Sequence, residues 1–320
     1  MMLSRIAESM FWIGRYVERA EDTARILDVQ TQLLLEDAGV DESQTCRDLL
    51  LIMGLEPDDA AVQLGVALSA KVDIDQVLRL LAYDMSSPTS IAAAIAAARE
   101  SARRAREILS VPLWEVINTT YLSIPSGRFD GLRPPYVFQW VRERAALING
   151  TADATMTRDE GWHFLMLGRC LERADMTSRL IAATSLSSGS VAQWASTLRA
   201  CGAYEAFLRT YRGMETERAA AEFLLLDRLF PRSVVFALNR AEQCLDEMEP
   251  GSARAGFQDE AHRLIGRTRA ELEYRSLADV VADLPEEMEM LQRTCAAATA
   301  AISRKYFAGA EAVSWKGVRQ

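Results

Sequence analysis

Two stretches decide how this chain is read: Gly14-Arg15-Tyr16-Val17-Glu18-Arg19-Ala20-Glu21-Asp22-Thr23-Ala24-Arg25 and Gly168-Arg169-Cys170-Leu171-Glu172-Arg173-Ala174-Asp175-Met176-Thr177-Ser178-Arg179. Seven of the twelve positions are identical, an acid is kept at Glu21 and Asp175, and the copies begin 154 residues apart in a chain of 320. A phrase repeated at nearly half the chain length points to an internal duplication. On a helical wheel of about 100° per residue, Arg15, Glu18, Arg19, Asp22 and Arg25 share one face, and Ile13, Tyr16, Val17, Ala20, Ala24 and Leu27 take the other. The second copy repeats the division with Leu167, Cys170, Leu171, Ala174, Ser178 and Ile181 on the apolar face, but Met176 stands where the first copy has Asp22. Each phrase therefore predicts an amphipathic helix with an Arg/Glu stripe, and a methionine within the stripe argues that it does not simply face water. A glycine inside a helix costs about 1 kcal/mol relative to alanine. Close approach of another helix over Gly14 and Gly168 is the expected reason for it.

Outward from these phrases, helical periodicity dominates and strand-like alternation is scarce. The expected fold is all-α: an internally duplicated multi-helix bundle with approximate pseudo-twofold symmetry, its halves at 1–150 and 151–320 packed as one globular unit. Helices are expected over 4–37, 43–54, 58–68, 74–83, 88–110, 112–121, 135–149, 158–185, 190–212, 215–228, 231–248, 255–274 and 286–306. The Pro/Gly-rich segment 124–135 reads as a loop. Thr157-Arg158-Asp159-Glu160 has capping-box form, with Thr157 as N-cap of the second Glu-Arg helix. A fainter echo pairs Pro88-Thr89-Ser90-Ile91 with Pro231-Arg232-Ser233-Val234, 143 residues later. In that register Arg99, Arg103 and Arg106 correspond to Glu242, Asp246 and Glu249, the same face with reversed charge. A pseudo-twofold assembly would bring such faces together, whereas drift would leave two solvated faces.

The first phrase, extended back through Leu3-Ser4-Arg5-Ile6-Ala7-Glu8-Ser9-Met10-Phe11-Trp12-Ile13, and the lead-in Arg158-Asp159-Glu160-Gly161-Trp162 of the second closely resemble the bacterial alpha-E family, an all-helical domain with Glu-Arg motifs. The resemblance runs over essentially the whole chain. Members of that family tend to be encoded beside circularly permuted ATP-grasp proteins and transglutaminase-like peptidases. The resemblance thus implies an accessory or binding subunit of an ATP-grasp-dependent amide- or peptide-forming, or peptide-processing, system, with those two proteins as partners.

Composition narrows the alternatives. Apolar residues make up 49% and charged residues 25% of the chain, enough for an ample core. Arg5, Glu8, Arg15 and Glu18 interrupt the first apolar stretch, and no run has the roughly 18 apolar residues of a membrane span. A cytoplasmic protein with no membrane partner is expected. A net charge of -9 argues against nucleic acid as the main partner. Cys46, Cys170, Cys201, Cys244 and Cys295 are odd in number and scattered, so reduced, structural thiols are expected, Cys170 as a core thiol. No phosphate-binding glycine loop, ATP signature or GxSxG nucleophile is present, and no cofactor is expected. Glu160-x-x-His163 and Asp259-x-x-His262 have a spacing used in helical di-iron sites. The first half has Ile6 and Ser9 at the positions of Glu160 and His163, so no metal is expected; His163 should pack beside Trp162 and His262 should lie at the surface.

The candidate site is the pair of stripes: Arg15, Glu18, Arg19 and Arg25 with Arg169, Glu172, Arg173 and Arg179. One reading is a salt-bridge lattice that fixes helix packing, with Glu18 and Glu172 clamped by arginines three and four residues away. A second has surplus guanidinium groups holding an anionic small molecule or a peptide carboxylate. Met176 would leave the second stripe the more positive, so Arg169 and Arg173, aided by Arg15 or Arg19, would be the anion contacts. A third reading is an enzyme in which Glu18 or Glu172 is the general base beside an Arg-held carboxylate. Segment 114–144 gathers Trp114, Asn118, Tyr121, Arg128, Arg133, Tyr136, Trp140, Arg142 and Arg144, which fits either an interface or a loop tied to the core.

Overall fold

The computed structural model describes residues 2–36, 39–64, 72–127, 129, 131–186, 190–212, 216–249, 256 and 258–307. Among them are fifteen α-helices and no strand: α1 (Ser4–Glu36), α2 (Glu42–Ile52), α3 (Pro57–Leu64), α4 (Ile74–Leu78), α5 (Ile91–Arg104), α6 (Val111–Ser123), α7 (Pro134–Thr155), α8 (Glu160–Leu186), α9 (Val191–Ala200), α10 (Tyr204–Tyr211), α11 (Glu217–Leu226), α12 (Val234–Met248), α13 (Glu260–Tyr274), α14 (Leu277–Ala282) and α15 (Leu284–Tyr306). A π-helical turn, Arg79–Tyr83, continues α4.

Local chemistry starts and stops these helices. Side-chain oxygens of Asp41, Ser90, Ser110, Thr216, Ser233 and Asp259 accept from the first free backbone N–H groups of the helices they precede. The expected helix 190–212 is two, α9 and α10, because Gly202 adopts a left-handed φ of 61° between them. The cap of α8 is Asp159 rather than Thr157. Asp159 Oδ1 accepts from the N–H groups of Gly161 (3.0 Å) and Trp162 (3.3 Å), and Thr157 donates to the other Asp159 oxygen (2.7 Å).

At the centre α1 and α8 lie side by side, their most extensive partner being each other. Their contacts advance together, Gly14 meeting Leu165 and Arg169 while Glu18 meets Arg173, so the two helices run parallel. A Cβ added at Gly14 would lie 2.0 Å from the Leu165 carbonyl oxygen, and one at Gly168 would lie 2.0 Å from that of Phe11. Neither position admits a side chain at this separation. Around this pair, α1 packs on α5, α7 and α9, and α8 packs on α12, α15 and α2. The apolar faces of the central helices turn outward, Val17 and Ala20 of α1 lying against Ile95, Ala98, Val141 and Ala145. A single buried apolar cluster includes residues of 1–150 and of 151–320. No helix among the described residues is long and apolar enough to cross a membrane.

Candidate functional site: the Glu-Arg centre

The charged stripes of α1 and α8 face each other. Glu18 and Glu172 are both 0% exposed, yet each is answered from the opposite helix rather than from its own. Glu18 receives Arg173 Nε (2.6 Å) and Arg169 Nε (3.2 Å) from α8. Glu172 receives Arg15 Nε (2.6 Å), Arg19 Nε (2.5 Å) and Arg19 Nη2 (3.0 Å) from α1. This corrects the expectation that the acids are clamped by arginines three and four residues away. Glycine is what permits it: with the backbones this close, a guanidinium reaches across the seam more directly than along its own turn.

Burial alone would raise both carboxyl pKa values, but the arginines outweigh it. Arg15 and Arg19 hold Glu172 at about 2, and Arg173, Arg232 and Arg169 hold Glu18 far below the ordinary glutamate range. A general base works best with a pKa near the operating pH. Two carboxylates pinned as anions and closed off from solvent are suited to holding helices together.

Lower on the seam the arrangement repeats. Arg25 pairs with Glu21 (2.8 Å) and Arg179 with Asp175 (3.0 Å), each one turn apart on its own helix. Their guanidinium groups then cross to the other half: Arg25 lies over Gly202 at the end of α9, and Arg179 over Gly54 just after α2. Both glycines have left-handed φ, 61° and 74°, and the bare backbone leaves room for the arginine against the negative end of the helix.

One cation of the centre was not singled out from sequence. Arg232, in the turn before α12, reaches Glu18 (2.9 Å), Glu21 (2.6 Å) and Asp22. Its own carbonyl accepts from Thr177 (3.2 Å), and Arg173 donates to the neighbouring Pro231 carbonyl (3.1 Å). The turn is built twice. Ser233 bonds the carbonyl of Asp227 and caps α12 through Phe236 N–H; Ser90 bonds the carbonyl of Asp84 (2.6 Å) and caps α5 through Ala93 N–H (2.9 Å). In that register the counterpart of Arg232 is Thr89, buried at 4% exposure. In this register a base absent at Thr89 thus accompanies the acid absent at Met176.

Arg232 is shared among three carboxylates, which leaves Asp22 poorly compensated. Burial, with the charges of Glu18 and Glu21, lifts Asp22 to about 7 against the pull of Arg232. Its Oδ2 has no hydrogen-bond partner.

Two Glu-Arg helices, paired reciprocally across a glycine seam, match a described domain type: the model "Alpha-E", a predicted alpha-helical domain with a conserved ER motif, covers residues 2–307. The chain belongs to the Alpha-E family. Uncharacterised proteins of Mycobacterium bovis and of two strains of Mycobacterium tuberculosis are 28% identical to this Alpha-E chain over 306 residues, covering 88% of it and 34% of their own lengths. The chain thus spans about a third of the length of the curated relatives it matches. No solved structure matches it.

The remaining sequence candidates fall elsewhere in the Alpha-E chain. His163 makes an edge contact with Trp162, with ring centroids 5.2 Å apart. His262 is buried rather than at the surface, between Asp259 (3.1 Å) and Asp246 (3.3 Å), because Asp259 also caps its helix. All five cysteines are free and buried, and burial pushes the Cys170 thiol up despite Arg173 and Arg169. The reversed-charge faces do not meet each other. Glu242 pairs with Arg269 (2.5 Å) and Glu249 with Lys305 (2.5 Å), whereas Arg103 pairs with Glu100 (2.7 Å) and Arg99 bonds Asn118 (3.2 Å). In segment 114–144, Arg142 is tied to Asp28 (3.0 Å), Arg144 to Thr120 (2.8 Å), and Trp140 to Phe129, while Tyr136 and Arg133 are exposed. Arg128 lies outside the described residues.

Proposed function

We propose that this chain is an accessory, binding subunit of an ATP-grasp-dependent amide- or peptide-forming, or peptide-processing, system, and that its Glu-Arg centre is the rigid pin on which the subunit is built. The observation that carries this reading is that the acids a catalyst would need, Glu18 and Glu172, are sealed and arginine-held. Their invariance between the two copies then follows from packing, since loss of either leaves buried guanidinium groups unanswered. The curated relatives are about three times as long as the matched region, which supports a unit that works beside further chain or further proteins. A circularly permuted ATP-grasp protein and a transglutaminase-like peptidase are the partners this reading names, with a cytoplasmic location.

The test is reconstitution. The purified chain is mixed with a circularly permuted ATP-grasp protein from the same organism, and the complex is sought by size-exclusion chromatography with light scattering, with ATP turnover followed in parallel. A stoichiometric complex with altered turnover is expected. Separate elution with turnover unchanged would remove the accessory reading.

A further inference from the structure

The second half of α5 and the turn that follows it gather four arginines, Arg99, Arg103, Arg104 and Arg106, on a chain whose net charge is -9. Arg103 and Arg106 are exposed. Three of the four share one carboxylate, since Glu100 meets Arg103 (2.7 Å), Arg104 (3.6 Å) and Arg99 (4.0 Å). Among the described residues Arg106 meets no carboxylate, and Glu107 pairs with Arg5 (3.6 Å). The counterpart face on α12 is closed. In the register of the doubled turn, Glu242, Asp246 and Glu249 stand at the positions of Arg99, Arg103 and Arg106, and they are met by Arg269 (2.5 Å), His262 (3.3 Å) and Lys305 (2.5 Å) of α13 and α15. The fold answers one face from within and leaves the other positive.

What α6 offers those arginines is rings. The guanidinium carbon of Arg99 lies 5.3 Å from the centroid of Tyr121 and 5.8 Å from that of Trp114, and its Nε donates to Asn118 Oδ1 (3.2 Å). Arg106 lies over Trp114 as well (5.3 Å). Stacking on an aromatic face holds a guanidinium in place without neutralising it. Trp114, Asn118 and Tyr121 recur at the three- and four-residue spacing of one helix face. Val111 and Leu122, 55% and 50% exposed, extend that face at either end. Fixed arginines beside exposed aromatic and aliphatic side chains are the composition of protein-binding surfaces.

We infer that this α5–α6 face docks an acidic segment of a partner protein, one in which carboxylates are interspersed with apolar side chains. The carboxylates pair with Arg99, Arg103 and Arg106, and the apolar side chains rest on Val111, Trp114 and Leu122. Nucleic acid, the other polyanion that arginines and rings attract, is disfavoured by the negative charge of the rest of the chain. The inference deepens the accessory role proposed above by locating its docking surface. Peptide binding tests it without the ATP-grasp protein, so the two readings fail separately.

The probe is a fluorescein-labelled peptide of repeating Glu-Glu-Leu, titrated with the full chain and followed by fluorescence anisotropy. Saturable binding that weakens with added salt is expected. Replacing every Glu of the peptide by Gln should abolish binding, and replacing every Leu by Ser should weaken it by about tenfold or more, the effect of lost apolar contact. Arg106→Glu should weaken the parent peptide by about tenfold or more. Arg99→Lys and Arg106→Lys together keep the charge but lose the planar stack, and a several-fold weakening is expected. Arg47→Glu on α2, whose guanidinium bonds Ser43 and Gln44 of its own helix, makes the same change of net charge as Arg106→Glu and should leave binding unaltered. Unaltered thermal unfolding midpoints establish that the variants are folded. The assignment is overturned by a lack of saturable binding, by binding untouched in the lysine pair, or by a loss as great with Arg47→Glu as with Arg106→Glu. Displacement of the peptide by oligouridylate at lower concentration than by unlabelled peptide would overturn it in favour of nucleic acid.

Discussion

A carboxylate taken fully out of water persists only if its charge is answered on the spot, and Glu18 and Glu172 are answered from across the seam. Glu18→Gln or Glu172→Gln leaves two or more arginines facing a neutral amide, and each substitution is expected to destabilise by about 3–5 kcal/mol in urea denaturation. Effects near zero at both positions would mean that the pairs are effectively solvated. The two kinds of acid in the centre also respond to pH in opposite senses. Glu172 is held at about 2 against an ordinary 4.5, so its stabilisation is complete above 4.5 and is lost as pH falls toward 2. Glu172→Gln should therefore flatten the acid limb of the stability profile in that window. Asp22 is raised from 3.8 to about 7, so between those values the folded state holds a proton that the unfolded state has released, and stability declines as pH rises. Asp22→Asn should lack that decline, which thermal melts from about pH 4 to pH 8 would show; a parallel profile in parent and variant would assign Asp22 an ordinary pKa.

At the scale of the element, the closeness of α1 and α8 is the controlling dimension. Gly14→Ala and Gly168→Ala each place a Cβ 2.0 Å from a backbone oxygen, which no side-chain rotation relieves. The helices must separate, stretching every Glu-Arg bond of the seam, and a loss at the upper end of overpacking costs, about 3 kcal/mol, is expected. Gly150 of α7 is the control, because nothing lies within 4 Å of its added Cβ. There the helix-propensity term acts alone, and Gly150→Ala should stabilise by about 0.5–1 kcal/mol. Equal effects at the three positions in chemical denaturation would mean that glycine content, not seam geometry, sets them. The long helices and their glycines were legible in the sequence because helix period and cost per glycine are local properties. The split between α9 and α10 was not, since a single Gly202 in an otherwise helical pattern only marks a break once its φ is known.

For the whole molecule, the centre makes the halves interdependent. Glu18 of the first half finds Arg169, Arg173 and Arg232 only in the second, and Glu172 finds Arg15 and Arg19 only in the first. Fragments 1–150 and 151–320 expressed separately should each show little cooperative unfolding by circular dichroism, and the intact chain should melt in one transition. A cooperatively folded single fragment would establish that half as an independent domain. The doubled turns at Asp84–Ser90 and Asp227–Ser233 and the reciprocal glycine contacts give the two halves matching parts. Residue patterns alone determined the all-helical class, the pairing of Glu with Arg in two equivalent helices and the closeness implied by Gly14 and Gly168, because each of these is written in periods of a few residues. Which arginine answers which acid was decided only by the tertiary structure. Arg232, more than 200 residues from Glu18, could enter the centre only once the turn before α12 was folded against α1. Position along the chain carries no record of such a distance, and a charge buried among several partners is shared by proximity in space.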